Sequence, residues 1–256
     1  MSGGHCYKGQ QNIMSPSTSQ RSIAAIPPEA AADTGQRVIL LDGAEGGAGK
    51  GRIRLDNEAA ILLAAERAFA AHGFKGATMA IIAEEAQLPK PNIHYYFSNK
   101  QTLYLTVLNR ILRDWLSPMD YFHPAACPRT AIERYVRQKM AFTFARPDAS
   151  KMFANEILHG APVALPLLNT TLRKLVISKA AVIDGWIAQG KIRPLDSTHL
   201  FFTIWAMTQT YADFDTQIAA VLGCRTLDAQ AQERATHHVL SAVFRICGLD
   251  NDDTSA

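Results

Sequence analysis

Trp205 and Gln209 stand four residues apart in a stretch of helical texture, so an indole and a carboxamide share one helix face. A carboxamide in apolar company is either a costly buried polar group or a hydrogen-bonding partner for something else. The pair suits a flat ring that stacks on the indole and offers an imide-like N–H/C=O edge. A carboxamide meets such an edge with one donor and one acceptor. Trp115 and Phe153 are candidate walls of the same site, and Glu156 and Tyr211 are candidate polar partners. Glu156 has a plainer alternative, capping a neighbouring helix or pairing with Lys151. The other aromatic residues of this half, Trp186, Phe201, Phe202 and Phe214, are more simply core.

A second constellation lies upstream. Asn92 and His94 fall early in a short helical stretch entered through Pro89, Lys90 and Pro91. An amide pairs well with adenine, and His donates to a base edge or a phosphate. Lys90 and Lys100 flank this stretch and would neutralise a phosphate backbone. Thr78, as a helix N-cap, can present its hydroxyl and the N–H groups behind it to a phosphate. Tyr95 and Tyr96 are adjacent, so they point about 100° apart. One is expected to pack inward and the other to reach outward, with Phe97 in the core. Arg52 and Arg54, just before the first helix, would form an arm reaching a groove. The charge is placed accordingly. Lys50 to Arg113 carries nine Lys/Arg against five Asp/Glu, whereas the whole 256-residue chain has a net charge of only +3. A polyanionic partner follows from that asymmetry.

Other chemistries find little support. There is no Gly-x-Ser-x-Gly elbow and no HExxH, so no enzyme class suggests itself. Asp213 and Asp215 diverge on a helix and make a poor carboxylate pair. His237 and His238 lack further ligands at metal spacing, so no metal or cofactor is expected. The segment Gly43–Gly51, after the strand-like run Arg37–Gly43, is a broken phosphate loop. Ala44 stands where its first glycine belongs, and Gly51 where a hydroxyl should hold Mg²⁺. A nucleotide-binding module through Lys50 is the weaker alternative, and a flexible linker the better reading. The four cysteines form no CxxC pair and fit a reducing compartment. No run of apolar residues is long enough to span a membrane, and no secretory leader is evident.

The elements that must position these residues are all helical. Residues 1–52, rich in Gly, Ser, Gln and Ala, read as an extension without regular structure. Residues 53–100 hold three helices. The first is stopped at Gly73, and the second runs from an N-cap at Thr78 to Gln87. The third is the Asn92–Phe97 stretch. Two short helices after a longer one, joined by a tight turn, describe a helix-turn-helix. Ser98 and Gln101 predict a capping box for the next helix, which runs through Trp115. Residues 101–249 then form a larger helical part. Its predicted helices are Thr130–Arg146, Asp148 (N-cap)–His159, Pro166–Gln189, Asp196 (N-cap)–Leu222 and Leu227–Cys247. Residues 250–256 are an acidic tail. The fold class is therefore all-α.

Four segments carry a family resemblance: Ile61-Leu62-x-Ala64-Ala65, Phe69-Ala70-x-His72-Gly73-Phe74, Ile82-Ala83-x-Glu85-Ala86 and Tyr95-Tyr96-Phe97-x-Asn99-Lys100. Together they resemble the DNA-binding domain of TetR-family transcriptional regulators. Three further segments resemble the pyrimidine-utilisation branch of that family: Leu88 to Phe97, Asn155-Glu156-Ile157-x-His159-Gly160-Ala161-Pro162, and Ile204-Trp205-Ala206-x-Thr208-Gln209-x-Tyr211-Ala212-Asp213-Phe214. The resemblance implies a cytoplasmic homodimeric repressor. It would bind a palindromic operator in double-stranded DNA and respond to uracil or thymine, or to another planar or amphipathic effector. It also implies that Tyr95 is the outward tyrosine. Two positions depart from the family pattern. Gln87 replaces the usual turn glycine, at a cost of about 1 kcal/mol if the turn is left-handed. Pro89 replaces the usual serine cap.

Overall fold

The computed structural model of the chain describes residues 47–250, with side chains from Arg52 onward. The strand-like run Arg37–Gly43 and most of the acidic tail lie outside the described residues. Helices α1 (Gly47–Gly76, broken where predicted at Gly73, φ = 65°), α2 (Met79–Glu85), α3 (Lys90–Tyr96) and α4 (Lys100–Leu116) come first. The remainder comprises α5 (Pro128–Ala145), α6 (Pro147–Leu158), α7 (Leu165–Leu167), α8 (Arg173–Ala188), α9 (Ser197–Asp213), α10 (Asp215–Leu222) and α11 (Ala229–Cys247). Among the described residues there is no strand, as the all-α reading requires.

Local chemistry sets several of these boundaries. Thr78 Oγ1 accepts from the Ile81 N–H at 3.2 Å, and Asp196 Oδ1 from the His199 N–H at 2.9 Å, so both predicted N-caps are formed. The cap of α4 is Asn99 rather than Ser98. Its backbone is extended, and its Oδ1 accepts from the Thr102 N–H at 2.9 Å. Asp148 is not a cap either. Pro147 takes the first helical position, which needs no N–H, and Asp148 falls inside the first turn. The first helix begins at Gly47, so Arg52 and Arg54 ride on helix rather than on an unstructured arm. Gly47 to Lys50 are helical as well, so the described part of the glycine-rich segment is no phosphate loop.

Gln87 turns α2 into α3 with φ = 55°, in the left-handed region. The Leu88 N–H closes the turn on the Ala83 carbonyl at 3.0 Å. A side chain is strained in that conformation, whereas glycine is not. Gln87→Gly is therefore expected to stabilise the fold by about 0.5–1 kcal/mol, the relief of strain exceeding the entropy of the extra glycine. Thermal unfolding checks this as a rise in Tm of about 2 °C.

The core forms two clusters. One is built from α1–α4 around Ile61, Phe69, Ile82, Ile93 and Leu108, and includes Ala149 and Met152 of α6. The other is built from α5, α8, α9 and α11 around Tyr135, Ile183, Trp186, Phe201 and Val243. The long helix α4 serves both: Leu103 to Ile111 pack in the first cluster, and Leu112 and Leu116 in the second. Phe153 of α6 also touches both. A shift of either helix must therefore be felt in the two cores together.

Candidate functional site

The short helix α3 is held by one buried side chain, Ile93, and by Phe97 at its end. Tyr96 packs part-way against the same core, and the remaining side chains face outward. Lys90, Pro91, Asn92, His94 and Tyr95 are exposed, and Tyr96 is half-buried. Tyr95 is 74% exposed and meets Tyr96 edge-to-face, with ring centroids 5.3 Å apart. An exposed aromatic beside His and Asn is a poor arrangement for water alone and a good one for a base edge or sugar-phosphate. Thr78 is exposed at the N-terminus of α2. Arg52 and Arg54 are exposed on the first turns of α1.

Lys100 is placed differently from expectation. Its ammonium donates to the carbonyls of Ala77 (2.8 Å) and Lys75 (3.4 Å) and stands 4.7 Å from the centroid of Phe74. It fastens the end of α1 to the start of α4. That engagement makes it a positioning residue for the helix-turn-helix, and the neutral carbonyls leave its charge in place.

The second constellation closes around a cavity of about 680 Å³ between α6, α9, the turn before α8 and the end of α1. Phe153, Trp205 and Gln209 line it, with Leu168 and Leu172. An inner recess of about 60 Å³ shares Phe153, Leu172, Trp205 and Gln209 with it, and adds Trp115 and Lys139. Trp115 and Phe153 meet edge-to-face at 5.1 Å. The Trp205 indole N–H donates to Tyr135 Oη at 2.7 Å, which fixes the plane of the ring. Among the described residues the Gln209 carboxamide makes no hydrogen bond, although it is only half exposed. An oriented indole beside an unengaged amide is the arrangement expected for a planar, hydrogen-bonding ligand.

Two of the predicted lining residues lie elsewhere. Tyr211 is two residues past Gln209, so it points to the far side of α9, where it packs on Phe144 and lines another cavity. Glu156 is buried and engaged by the protein itself. It accepts from Tyr104 Oη (2.8 Å) and from the backbone N–H groups of Val163 (2.6 Å) and Ala164 (2.9 Å). It caps the chain entering α7, the plainer of its two readings. Burial, together with this carboxylate, pushes the Tyr104 phenol well above its ordinary range, so the phenol keeps its proton and donates.

Sequence reading missed Lys139, Leu172 and Ala70. Lys139 was visible in principle. It is a lysine on the apolar face of α5, in step with Ile132, Tyr135 and Val136. The other two depend on tertiary structure. Leu168 and Leu172 reach the cavity on a single π-helical turn, Leu168–Leu172. Ala70 brings α1 itself into the cavity wall.

That last contact joins the cavity to the helix-turn-helix. A second joint is ionic. Arg146, between α5 and α6, donates to Glu66 of α1 (2.5 and 3.3 Å) and to Asp114 of α4 (2.6 Å). Burial disfavours its charge, and the two carboxylates more than restore it. The paired aspartates also serve as ties. Asp213 accepts from Ser150 Oγ at 2.6 Å, and Asp215 pairs with Lys151 at 2.7 Å, so α6 is roped to α9 and α10.

A helix-turn-helix with its second short helix exposed, coupled to an apolar chamber in a helical domain, defines a ligand-responsive DNA-binding regulator. Residues 61–107 match the model of bacterial regulatory proteins of the tetR family, and residues 108–250 that of the YcdC-like protein C-terminal region. The chain belongs to the TetR family of transcriptional regulators and is not an enzyme. It is similar to the HTH-type transcriptional regulator RutR of Escherichia coli K12, at 43% identity over 169 residues, covering 66% of this chain and 80% of that one. It is more distantly similar to the uncharacterized HTH-type regulator YhgD of Bacillus subtilis, at 23% identity over 56% of this chain and 75% of that one. Its fold is shared with the putative regulator SCO4942 of Streptomyces coelicolor (TM-score 0.57, 22% identity, 75% of this chain and 98% of that one). AibR shares it too (TM-score 0.54, 18% identity, 73% of this chain and 98% of that one). No helix among the described residues is long and apolar enough to cross a membrane.

Proposed function

We propose that the protein is a homodimeric repressor that binds an inverted-repeat operator and is released by a pyrimidine, uracil or thymine. The observation that carries this reading is the unengaged Gln209 carboxamide beside the oriented Trp205 ring, in a recess walled by Trp115 and Phe153. An imide edge answers the amide, and a flat ring answers the indole. The similarity to RutR supports the same effector class. Ala70 and the Arg146 bridge supply the route by which a filled chamber moves α1.

On the DNA side, the operator contacts fall to Thr78, Lys90, Pro91, Asn92, His94, Tyr95 and Tyr96, with Arg52 and Arg54 reaching the backbone. Two copies must present α3 to half-sites one turn apart, about 34 Å. Exposed apolar side chains, Phe202 on α9 and Val221 and Leu222 on α10, support pairing through these helices. A second reading, a larger amphipathic effector, is favoured by one observation. The outer chamber of about 680 Å³ exceeds what a single ring requires. AibR, of the same fold, has been solved with isovaleryl coenzyme A and operator DNA.

Gel-shift titration of genomic fragments selects between these readings. The expected result is capture of an inverted repeat, with affinity falling steeply between about 50 and 200 mM salt, and release of the fragment by uracil. Binding that ignores salt contradicts the operator reading. Release by acyl thioesters and not by pyrimidines selects the second effector.

A further inference from the structure

The inner recess holds one charged side chain, and stacking on a flat ring does not account for it. Lys139 is 3% exposed. Its Nζ stands 4.4 Å from the centroid of the Trp115 ring. Among the described residues it makes no hydrogen bond and no ion pair. The groups around it are nearly all uncharged. α4 offers Leu112 and Trp115, α6 offers Phe153, the turn before α8 offers Leu172, and α9 offers Trp205 and Gln209. The carboxylate whose field reaches it is Asp213, itself engaged by Ser150 and flanked by Lys151 and Asp215. Burial lowers the Lys139 amine to about 7, and Asp213 offsets only part of that. A desolvated amine left with only a ring face is expensive to keep. An apolar side chain would pack there at less cost. The amine also opens into the recess that holds the unengaged Gln209 carboxamide.

We propose that Lys139 is a specificity-determining residue of the effector site, its ammonium donating to a ring oxygen while Gln209 meets the adjoining N–H/C=O edge. The recess then takes oxygen-bearing heterocycles of the imide class and rejects rings that lack an acceptor at that position. The assignment rests on the pyrimidine reading above and adds the group that fixes the orientation of the ring. It has a proton-linked consequence. An acceptor on Nζ favours the charged form, so its pKa is higher in the complex than in the free protein. Binding therefore takes up a proton above the free value, and affinity falls as pH rises from about 7.

The test is calorimetric titration of the full-length protein with uracil, using wild type, Lys139→Met and Lys139→Gln. Wild type is expected to bind, and both variants to bind roughly 10- to 100-fold more weakly. Wild-type affinity is expected to fall between about pH 6.5 and 8.5, and that fall to vanish in Lys139→Met. Lys139→Met should keep operator binding and an undiminished Tm, because the amine gives up only a ring face and an apolar side chain packs there at less cost. If that variant fails to fold, Lys139→Gln carries the comparison. Equal uracil affinity in wild type and a folded variant overturns the role of Lys139 and leaves the pyrimidine reading intact. No uracil binding by wild type overturns the pyrimidine reading, and this assignment with it.

Discussion

Arg146→Met is expected to destabilise the protein by about 3 kcal/mol, read as a fall in Tm of about 9 °C. Arg146 lies between α5 and α6 and holds Glu66 of α1 and Asp114 of α4 at once. Its side chain is 20% exposed, and that of Glu66 only 6%. Removing the guanidinium leaves the Glu66 carboxylate desolvated and unpaired, which costs more than the intact pair contributes. The figure sits at the low end for buried pairs because water still reaches Arg146 and Asp114. Two controls separate mechanism from volume. Glu66→Gln in the Arg146→Met background should recover part of the loss, since the stranded charge is gone. Arg67→Met removes the Arg67–Glu85 pair of α1 and α2, 3.0 Å apart with both side chains over 40% exposed, and should change stability by less than about 1 kcal/mol. Equal effects at Arg146 and Arg67 would mean that the bridge is ordinary surface electrostatics.

What the sequence discloses here is the chemistry of short range. Thr78 and Asp196 are legible as caps because a side-chain oxygen and an N–H three residues on are all the structure needs. Ser98 and Asn99 are adjacent and equally able to cap. Only the extended backbone at Asn99 decides between them. Pro147 gives the correct start of α6, yet Asp148 beside it is the more obvious cap and draws the reading one residue too far. The break at Phe214 between α9 and α10 has no local mark, neither Gly nor Pro. It accompanies the ties of Asp213 and Asp215 to α6, which are tertiary. The candidate site divides the same way. Trp205 and Gln209 share a face by helix arithmetic, and the same arithmetic sends Tyr211 to the opposite side. Glu156 could be assigned only once the Gly160–Ala164 turn lay over it, because its partners are the N–H groups of that turn. Lys100 reads as a cation flanking α3, and only tertiary structure brings the carbonyls of Lys75 and Ala77 within its reach.

Gln209→Ala should leave operator affinity unchanged and abolish the response to uracil at concentrations that release the wild type. Operator binding is spared because Gln209 lines the chamber on α9, and no α3 residue lines that chamber or its inner recess. The response is lost because the carboxamide is the group positioned to satisfy both the N–H and the C=O of an imide edge. Two hydrogen bonds in a recess walled by Trp115, Phe153 and Trp205 would then go unmade. Each is worth about 1 kcal/mol net, and the ring polar atoms they leave unsatisfied cost more, so the loss in affinity is roughly 30- to 100-fold. Gln209→Glu sharpens the test. It keeps the acceptors and the shape but loses the donor, and its carboxylate would pair with the Lys139 amine of the same recess, so it should fail as completely as alanine. Trp205→Phe keeps a stacking face but leaves the buried Tyr135 hydroxyl without its 2.7 Å donor. It should lower stability and weaken uracil together, whereas Gln209→Ala leaves stability nearly unchanged. Measured side by side by gel shift and thermal unfolding, the two variants separate recognition from support. If Gln209→Ala releases DNA on uracil addition as the wild type does, the carboxamide is not the recognising group and the effector sits elsewhere in the chamber.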